Sequence, residues 1–529
     1  MVVPLSALVA AALACTRPAP APAPAADEPV RLVVLVVIDQ WPTWGFAARR
    51  DLYRGGLGRL LREGVVHEAV EYPYAITYTA PGHATLGTGA PPAVHGILAN
   101  DWWRREQGRR RQAEADDTVR ILGLPGRAAD GLEGASGRPL RADGVADWLR
   151  AATGGRARSV VIGGKARAAT LVAGRRPDVV LWYEAALPGV TTSTAYADAL
   201  PPWLLAFDRA HPMAPLLEAT WTARDPALLA ARTGLPDDAP GEGAEHGLGI
   251  VFPHRLATST APARALHATP FLDRLQLDLA IAAVAGEGLG RDDVADLLVV
   301  SLSAHDYVGH NWGQESWETL EHELALDAEL ARFWSALDRE VGAGRYAVVV
   351  TSDHGATPLV EHGRHPGARR IPPAELEAAA RAGAASVLGE GDWIAIVSSG
   401  MIYLSPAAAA HAERARALDA IAARVAAVPQ VQRVIALDPL PAGCAGLDDL
   451  ATRACWSRVP GESGELLVVP TDGSLITRYT TGTSHDAISP DNDLVPVLVL
   501  DPRRRPLPLS TSILSVAPTL ATLLDIPPP

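Results

Sequence analysis

The stretch Leu32–Gln40, LVVLVVIDQ, determines the fold of this chain. Its first seven residues are apolar and mostly β-branched, which predicts a strand buried on both faces inside a parallel sheet. Three more runs have the same character, at Leu297–Leu302, Tyr346–Thr351 and Leu494–Leu500. Strands of this kind need helices on both sides of their sheet, so they predict an α/β fold.

The segments between these strands carry a helical pattern. Apolar side chains recur at helical spacing over Glu315–Val341, which lies between two predicted strands. A strand, a helix and a strand in this order form a parallel crossover. A further amphipathic helix is predicted over Ile513–Leu524. The fold class that follows is a three-layer α/β/α sandwich with a mostly parallel central sheet.

Two regions fit this pattern less well, and we interpret them as insertions in one catalytic domain over residues 30–529. Residues from about 105 to 290 are rich in Arg, Pro and Gly, and predict a lobe over the sheet edge. Residues from about 385 to 470 predict a small α+β insertion. It contains a hairpin-like Trp393–Leu404 and a helix that opens at Ser405, an N-cap residue followed by proline.

The N-terminus resembles the signal peptide of a bacterial lipoprotein. Val2–Ala14 is apolar but too short to span a bilayer, and it ends at Cys15. No basic residue precedes the apolar run, which departs from the usual pattern. We expect residues 1–14 to be removed and residues 15–29 to form a Pro/Ala tether from a lipidated Cys15. The protein would then be exported, to the periplasm or as an outer-membrane-anchored lipoprotein. The alternative is an Ala-rich start without a targeting role.

The net charge of −13 argues against a nucleic-acid partner, because such a protein needs a basic face. It does not exclude small anionic substrates, which need only a local cationic site. Membrane contact is expected only through Cys15. The oligomeric state stays open, with a monomer favoured.

Two other cysteines, Cys444 and Cys455, lie eleven positions apart in a loop that contains Gly and Asp. In an oxidising compartment this spacing is compatible with a disulfide. Two free buried thiols are the alternative.

Acidic and imidazole side chains follow the predicted strands. Asp39 follows the first strand, Asp306 and His310 follow the second, and Asp353 with His354 follow the third. His485 precedes the fourth strand. Because the carboxyl ends of parallel strands share one edge of a sheet, these groups are expected to converge there. Carboxylates and imidazoles without thiolates suit zinc. Each motif by itself could be an ordinary turn or cap.

The segment Thr77–His83, TYTAPGH, adds a hydroxyl nucleophile. Pro81 favours the first turn of a helix that continues into ATLGTG. Thr79 would then lie near a helix N-terminus, where free N–H groups favour an anion. Metal coordination is one way to activate a threonine hydroxyl. The alternative is that Thr79 is an ordinary N-cap.

Together these motifs resemble the alkaline phosphatase superfamily, and most of all its PafA-type, phosphomonoester-preferring branch. The resemblance runs from about residue 30 to the C-terminus. The matching segments, in family order, are IDQ at 38–40, TYTAPGHATLGTG at 77–89, AVHGILANDWW at 93–103, DYVGH at 306–310, SDHG at 352–355, TGTSHD at 481–486 and SVAPTLATLL at 515–524.

The resemblance implies two Zn²⁺ ions per chain and a phosphate monoester substrate. One zinc site would comprise Asp306, His310 and His485. The other would comprise Asp39, Asp353 and His354, with Thr79 on the metal as the nucleophile that forms a phosphothreonine.

Three further matches, Asn100, Lys165 and Arg167, would hold the non-bridging phosphoryl oxygens. Without the resemblance, Lys165 and Arg167 would be taken for solvated surface charges.

Three rival functions remain. A phosphodiesterase or nucleotide pyrophosphatase would share both metal sites, and only the Lys165 and Arg167 pair and the lobe argue against it. A sulfatase would need Cys or Ser in a C/S-x-P-x-R motif at the position of Thr79. A lipoprotein that only binds ligands would not need every ligand position intact.

Overall fold

The computed structural model describes residues 29–438, 440, 444, 446–486 and 488–527. The predicted signal peptide, the lipidated Cys15 and all but the last residue of the tether lie outside these residues. None of the helices in the described ranges has the length and apolar character needed to cross a membrane.

An eight-stranded mixed sheet forms the centre of the molecule. Its five middle strands are parallel, and the remaining three run antiparallel to their neighbours. All four strands predicted from the sequence belong to it. In spatial order the strands are Val65–Glu71, Leu494–Leu500, Tyr346–Thr351, Leu32–Ile38, Asp296–Leu302, Ser159–Gly163, Val179–Glu184 and Gly189–Thr191.

Helices cover both faces of this sheet, which confirms the three-layer prediction. Every residue of Leu32–Ile38 is buried, and its side chains alternate between two hydrophobic clusters. One cluster includes the helices Pro270–Glu287 and Trp317–Leu337. The other includes the helices Val145–Thr153 and Val516–Leu523. The fully apolar run therefore exists because neither face of the strand meets water.

The predicted helices lie close to their expected positions. The one expected over 315–341 spans Trp317–Leu337, and the Ser316 side chain caps it by accepting a hydrogen bond from Thr319 N. The remaining helices are Thr43–Arg49, Gly56–Glu63, Thr79–Thr88, Pro92–His95, Val145–Thr153, Ala166–Leu171, Pro202–Ala210, Met213–Leu217, Pro226–Thr233, Pro262–Ala265, Pro270–Glu287, Ala304–Trp312, Pro373–Leu388, Pro406–Ala409, Arg414–Ala426, Asp449–Ser457, Pro490–Asp493 and Val516–Leu523.

A second, antiparallel sheet of four strands lies in the C-terminal part of the chain. Its spatial order is Ile394–Ser398, Met401–Leu404, Leu466–Pro470 and Val431–Ala436. The helices Pro373–Leu388 and Arg414–Ala426 share a hydrophobic cluster with it. Beside it a disulfide joins Cys444 and Cys455, whose Cα atoms are 5.8 Å apart.

The lobe predicted over 105–290 is too broad. Three strands of the central sheet lie within this range, at Ser159–Gly163, Val179–Glu184 and Gly189–Thr191. The 18-residue helix Pro270–Glu287 packs against the same sheet. These strands are only five, six and three residues long, so their local sequence signal is weak.

Candidate active site

Three parallel strands deliver the acidic groups of the site. Asp39 directly follows the strand Leu32–Ile38, and Asp353 lies two residues beyond Tyr346–Thr351. Asp306 lies in the first turn of a helix that begins just after Asp296–Leu302. Because these strands are parallel neighbours, all three carboxylates meet at one edge of the sheet.

The carboxylates and imidazoles form two buried groups. The ligand atoms of Asp39, Asp353 and His354 lie within 4.8 Å of one another, and so do those of Asp306, His354 and His485. His354 belongs to both groups, and its ring stacks on His485 at a centroid distance of 3.8 Å. The first group has the composition expected from the sequence.

His310 lies beside the second group. Its Nε2 is 3.2 Å from Asp306 Oδ1, as the i, i+4 spacing on one helix predicts. The His310 and His485 rings are 5.4 Å apart, farther than the rings of His354 and His485. The family resemblance implies His310 rather than His354 as the partner of Asp306 and His485, whereas in this structure His354 belongs to both groups.

The three histidines share one tautomer. Their Nδ1 atoms lie 2.7 Å from Thr483 O for His310, 2.9 Å from Gly355 O for His354 and 2.8 Å from Thr77 O for His485. A carbonyl oxygen only accepts, so each Nδ1 carries the proton and each Nε2 keeps its lone pair. This is the arrangement of metal-binding histidines.

Several ligand atoms face other ligand groups without a well-formed hydrogen bond, although His83 Nδ1 lies 3.1 Å from Asp353 Oδ2. Asp39 Oδ1, Asp353 Oδ2 and His354 Nε2 are shielded from solvent and make no hydrogen bond to any described residue. Leaving such groups unsatisfied costs about 1–3 kcal/mol each, more for charged groups. Bound cations would remove this cost, and a set of carboxylates and neutral imidazoles fits zinc.

The electrostatics of the site also favour cations. Burial, together with the charges of Asp306 and Asp353, raises the pKa of Asp39 well above its usual range. Burial and the neighbouring His354 hold the pKa of His485 well below its usual range, so its imidazole is neutral. Neutral imidazole is the form that binds metals.

Thr79 is the first residue of the helix Thr79–Thr88, and its exposed fraction is 2%. The N-cap is Tyr78, which makes no side-chain capping bond, so the alternative of an ordinary threonine cap is wrong. This helix packs tightly on the loop that carries Asp353. A Cβ at Gly82 would lie 2.2 Å from Asp353 O, so only glycine permits this approach.

Asn100 lies beside this helix. Its Oδ1 accepts a hydrogen bond from Ala80 N, the first amide after Thr79, at 2.8 Å. The carbonyl side of the Asn100 amide is therefore occupied, which leaves its N–H₂ group as the donor available to a ligand.

Lys165 is the only lysine in the 529-residue sequence. It directly precedes the helix Ala166–Leu171, and its Nζ donates to Asp39 Oδ2 at 2.8 Å and to Asp306 Oδ2 at 2.5 Å. Burial disfavours the ammonium, but the charges of Asp306 and Asp39 outweigh it and raise the pKa of Lys165. The ammonium therefore lies between one carboxylate from each group.

Arg167 lies two residues further along. Its Nε is buried and makes no hydrogen bond within the described part of the chain. Burial opposes the charge of Arg167, but neighbouring groups raise its pKa, and Glu114 contributes most to this rise. Glu114 is itself buried, and burial raises its pKa.

Two positioning residues escaped the sequence interpretation. Gln40 donates from its backbone N to Asp353 Oδ1 at 3.1 Å and from Nε2 to Asp306 Oδ1 at 2.8 Å. It adopts a left-handed backbone with φ of 64°, which is uncommon outside glycine. His83 lies behind Thr79, with Nδ1 2.8 Å from Thr79 O and Nε2 2.7 Å from Ser301 Oγ. Both residues lie in the quoted motifs IDQ and TYTAPGH, but only the fold reveals their contacts.

The site opens into a cavity of about 440 Å³. Tyr307, His310 and Thr483 border it on the side of the ligand groups, and Arg478 and Tyr479 lie among its other lining residues. Tyr479 is 54% exposed. The cavity is larger than a phosphate needs, so it offers room for the leaving group of an ester.

Fold and site together place the chain among the hydrolases built like alkaline phosphatase. The sequence profile described as type I phosphodiesterase / nucleotide pyrophosphatase matches residues 33–492, and the chain belongs to this family. Within the alkaline phosphatase superfamily it belongs to the PafA-type branch.

Three curated relatives are alkaline phosphatases. PafA of Elizabethkingia meningoseptica is 34% identical and PhoV of Synechococcus elongatus is 33% identical, over 62% and 64% of this chain. The chain spans 60% and 62% of the length of those two proteins. PhoK of Sphingomonas sp is 31% identical, and the alignment covers 95% of this chain and 90% of PhoK.

Solved structures agree with this assignment. The crystal structure of wild-type PafA superposes with a TM-score of 0.85 at 28% identity and covers 95% of this chain and 97% of PafA. Phosphonoacetate hydrolase from Sinorhizobium meliloti 1021 superposes with a TM-score of 0.53 at 17% identity, which shows a shared fold only.

Proposed function

We propose that this chain is a zinc-dependent phosphomonoesterase that forms a covalent phosphothreonine at Thr79. The observation that carries the proposal is the presence of two buried groups of carboxylates and imidazoles at one edge of the sheet. Lys165 and the motif that contains Thr79 lie at the same edge. The PafA-type relatives, which are named alkaline phosphatases, support it.

Two metal sites follow from the residues. Asp39, Asp353 and His354 would hold one ion, with Thr79 as a further ligand. Asp306, His310 and His485 would hold the other ion. His354 belongs to both ligand groups, so it could replace His310 as a ligand of this second ion. Zinc in these sites would lower the pKa of the Thr79 hydroxyl and of water, and would neutralise charge on the attacking and leaving oxygens.

The proposed reaction has two displacements. In the first, Thr79 Oγ1 gives up its proton to solvent and forms a bond to phosphorus, the bond to the leaving oxygen breaks, and the released alkoxide takes a proton from water. In the second, a water molecule gives up a proton as its oxygen attacks the phosphothreonine, the bond to Oγ1 breaks, Oγ1 takes up a proton, and inorganic phosphate leaves. In both displacements, the helix N-terminus at Thr79 stabilises the negative charge on the phosphoryl group.

Asn100, Lys165 and Arg167 are proposed to hold the phosphoryl oxygens. With cations on Asp39 and Asp306, the ammonium of Lys165 would turn from those carboxylates to the phosphoryl group. A monoester carries more negative charge than a diester, so two cations favour it. A solved PafA variant was altered at one threonine, one asparagine, one lysine and one arginine, the same four residue types.

The rival function is a phosphodiesterase on the same metal sites. The matching family profile and the open cavity favour it, because a second ester group would need space beside the phosphorus. Both functions would use the same metal sites, so only the kinetics on the two kinds of ester can distinguish them.

The test is steady-state hydrolysis of p-nitrophenyl phosphate and bis-p-nitrophenyl phosphate, before and after chelation and return of zinc. A strong monoester preference that zinc restores supports the proposal, and a diester preference moves the function to the rival. Thr79→Ala, compared with Thr79→Ser, should abolish the trapped phosphoenzyme. Label trapped on another residue would contradict the assignment of the nucleophile.

We also propose that the enzyme acts outside the cytoplasm, attached through a lipidated Cys15. The disulfide between Cys444 and Cys455 supports an oxidising compartment. Cys15→Ser should shift the protein from the membrane to the soluble fraction, and retention of the variant in the membrane would contradict the anchor.

A further inference from the structure

The segment that leads to Thr79 belongs to no helix or strand. Residues 72–78 connect the edge strand Val65–Glu71 to the helix that begins at Thr79. The carbonyl oxygen of Thr77 lies in this segment and accepts the hydrogen bond from Nδ1 that orients His485, at 2.8 Å. Backbone outside helices and sheets depends on partners elsewhere in the chain for its N–H and C=O groups. The contacts of residues 72–78 therefore decide where Thr77 and Thr79 lie.

The helix Asp449–Ser457, within the α+β insertion, supplies these contacts. The hydroxyl oxygen of Ser457 accepts a hydrogen bond from Ala75 N at 2.7 Å and from Ile76 N at 3.2 Å. Ser457 is 1% exposed, so water does not compete for this oxygen. An amide N–H only donates, so both lone pairs of the hydroxyl oxygen are engaged. One buried side chain thus fixes two consecutive backbone amides.

Arg453, one turn earlier on the same helix, holds the start of the segment. Its carbonyl oxygen accepts from Ala75 N at 3.2 Å. Its guanidinium donates to Tyr72 O at 3.1 Å and to Asp493 Oδ2 at 3.2 Å, and it also pairs with Glu71. A single helix therefore holds the chain from the end of the edge strand to residue 76.

This helix is itself fixed at both ends. The side chain of Asp448 caps its N-terminus by accepting a backbone hydrogen bond. The disulfide from Cys444 joins Cys455 in its last turn, two residues before Ser457. Ala454, on the same turn, is fully buried in a hydrophobic cluster that it shares with residues 75 and 76. The Ser457 hydroxyl is therefore held in place independently of the segment that it binds.

We propose that Ser457 is a positioning residue of the active site, which acts through residues 75–77 on His485 and Thr79. A shift of Ile76 would move the adjacent carbonyl of Thr77, and with it the hydrogen bond that sets the ring of His485. The inference rests on the proposed function, in which His485 binds zinc and Thr79 attacks phosphorus. It gives the α+β insertion a part in the reaction, although none of the site residues predicted from the sequence lies in it.

The expected effect is moderate because Ser457 does not touch a metal ligand directly. Removing a group that orients a metal ligand costs about 10- to 100-fold in metal affinity or activity. Ser457 acts one contact further away, so Ser457→Ala should lower kcat by about 10-fold, the low end of that range. KM should change little, because Ser457 does not line the cavity. The variant should still fold, since Arg453 O continues to accept from Ala75 N.

The test compares Ser457→Ala with Ser463→Ala in the full chain. Ser463 is a matched control, because it is buried in the same insertion and its Oγ accepts from Val459 N at 2.9 Å, away from residues 72–78. For each variant we would measure Zn²⁺ affinity by competition with a chelator, the urea midpoint, and kcat and KM at saturating zinc. Ser457→Ala should bind one of its two zinc ions about 10-fold more weakly. Ser463→Ala should match wild type in zinc affinity and kcat, and Ser457→Thr, which keeps the hydroxyl, should recover most of both.

A purely structural role would give a different pattern. The proposal is overturned if Ser457→Ala keeps wild-type zinc affinity and kcat, or if Ser463→Ala loses as much of both. It is also overturned if Ser457→Thr, with a wild-type urea midpoint, is as impaired as Ser457→Ala. The kinetics use whichever p-nitrophenyl ester wild-type protein hydrolyses faster. A diester preference would therefore refute the proposed monoesterase function and leave the comparison of the serine variants intact.

Discussion

Replacing Lys165 with alanine should cost this enzyme much more on monoesters than on diesters. The Lys165 ammonium lies between Asp39 Oδ2 and Asp306 Oδ2, at 2.8 and 2.5 Å, so it is centred between the two proposed metal sites. A phosphoryl group shared by both sites would lie within its reach. A hydrogen bond to a charged group contributes about 1.5–3 kcal/mol, which corresponds to a loss of about 10- to 100-fold in kcat/KM.

The diester should lose less, because its phosphoryl oxygens share one negative charge rather than two. By the same scale, half the free energy corresponds to a loss of about 3- to 10-fold. The assay is kcat/KM for p-nitrophenyl phosphate and its bis ester at saturating zinc, with zinc content measured in each variant. Arg176→Ala, which removes an exposed cation paired with Asp147, is the control and should change neither value. Equal losses on both esters, with zinc fully bound, would refute the reasoning.

Three further outcomes are expected. Burial lowers the pKa of His95 to about 3, so the unfolded chain binds a proton near pH 6.5 that the folded chain does not. Stability should therefore fall by about 2 kcal/mol between pH 7 and pH 5, and urea unfolding of His95→Gln should show a smaller pH dependence. Because Lys165 is the only lysine and is buried in two ion pairs, amine-directed acetylation should modify it slowly in native protein and rapidly in urea, as mass spectrometry would show. Equal rates would contradict its burial. The disulfide between Cys444 and Cys455 closes a short loop. Replacing both cysteines with serine should therefore lower the free energy of unfolding by about 3 kcal/mol. An unchanged urea midpoint would mean that the loop is constrained even without the disulfide.

The strands and the long helix were predictable because their signals are local. A run such as Leu32–Ile38 contains no polar side chain, and only a strand buried on both faces satisfies that composition. Trp317–Leu337 combines helical spacing with a serine cap. The strands within 105–290 were missed because they are three to six residues long and their neighbours are polar.

The sequence by itself determined the α/β class, the strands that carry Asp39, Asp306 and Asp353, and the helix that begins at Thr79. Each of these follows from residues close together in the chain. Only the tertiary structure decided that His354 lies between the two ligand groups and that Gln40 bridges Asp353 and Asp306. Those contacts join residues up to several hundred positions apart, and their distances depend on how the sheet edge, the helices and the loops pack together.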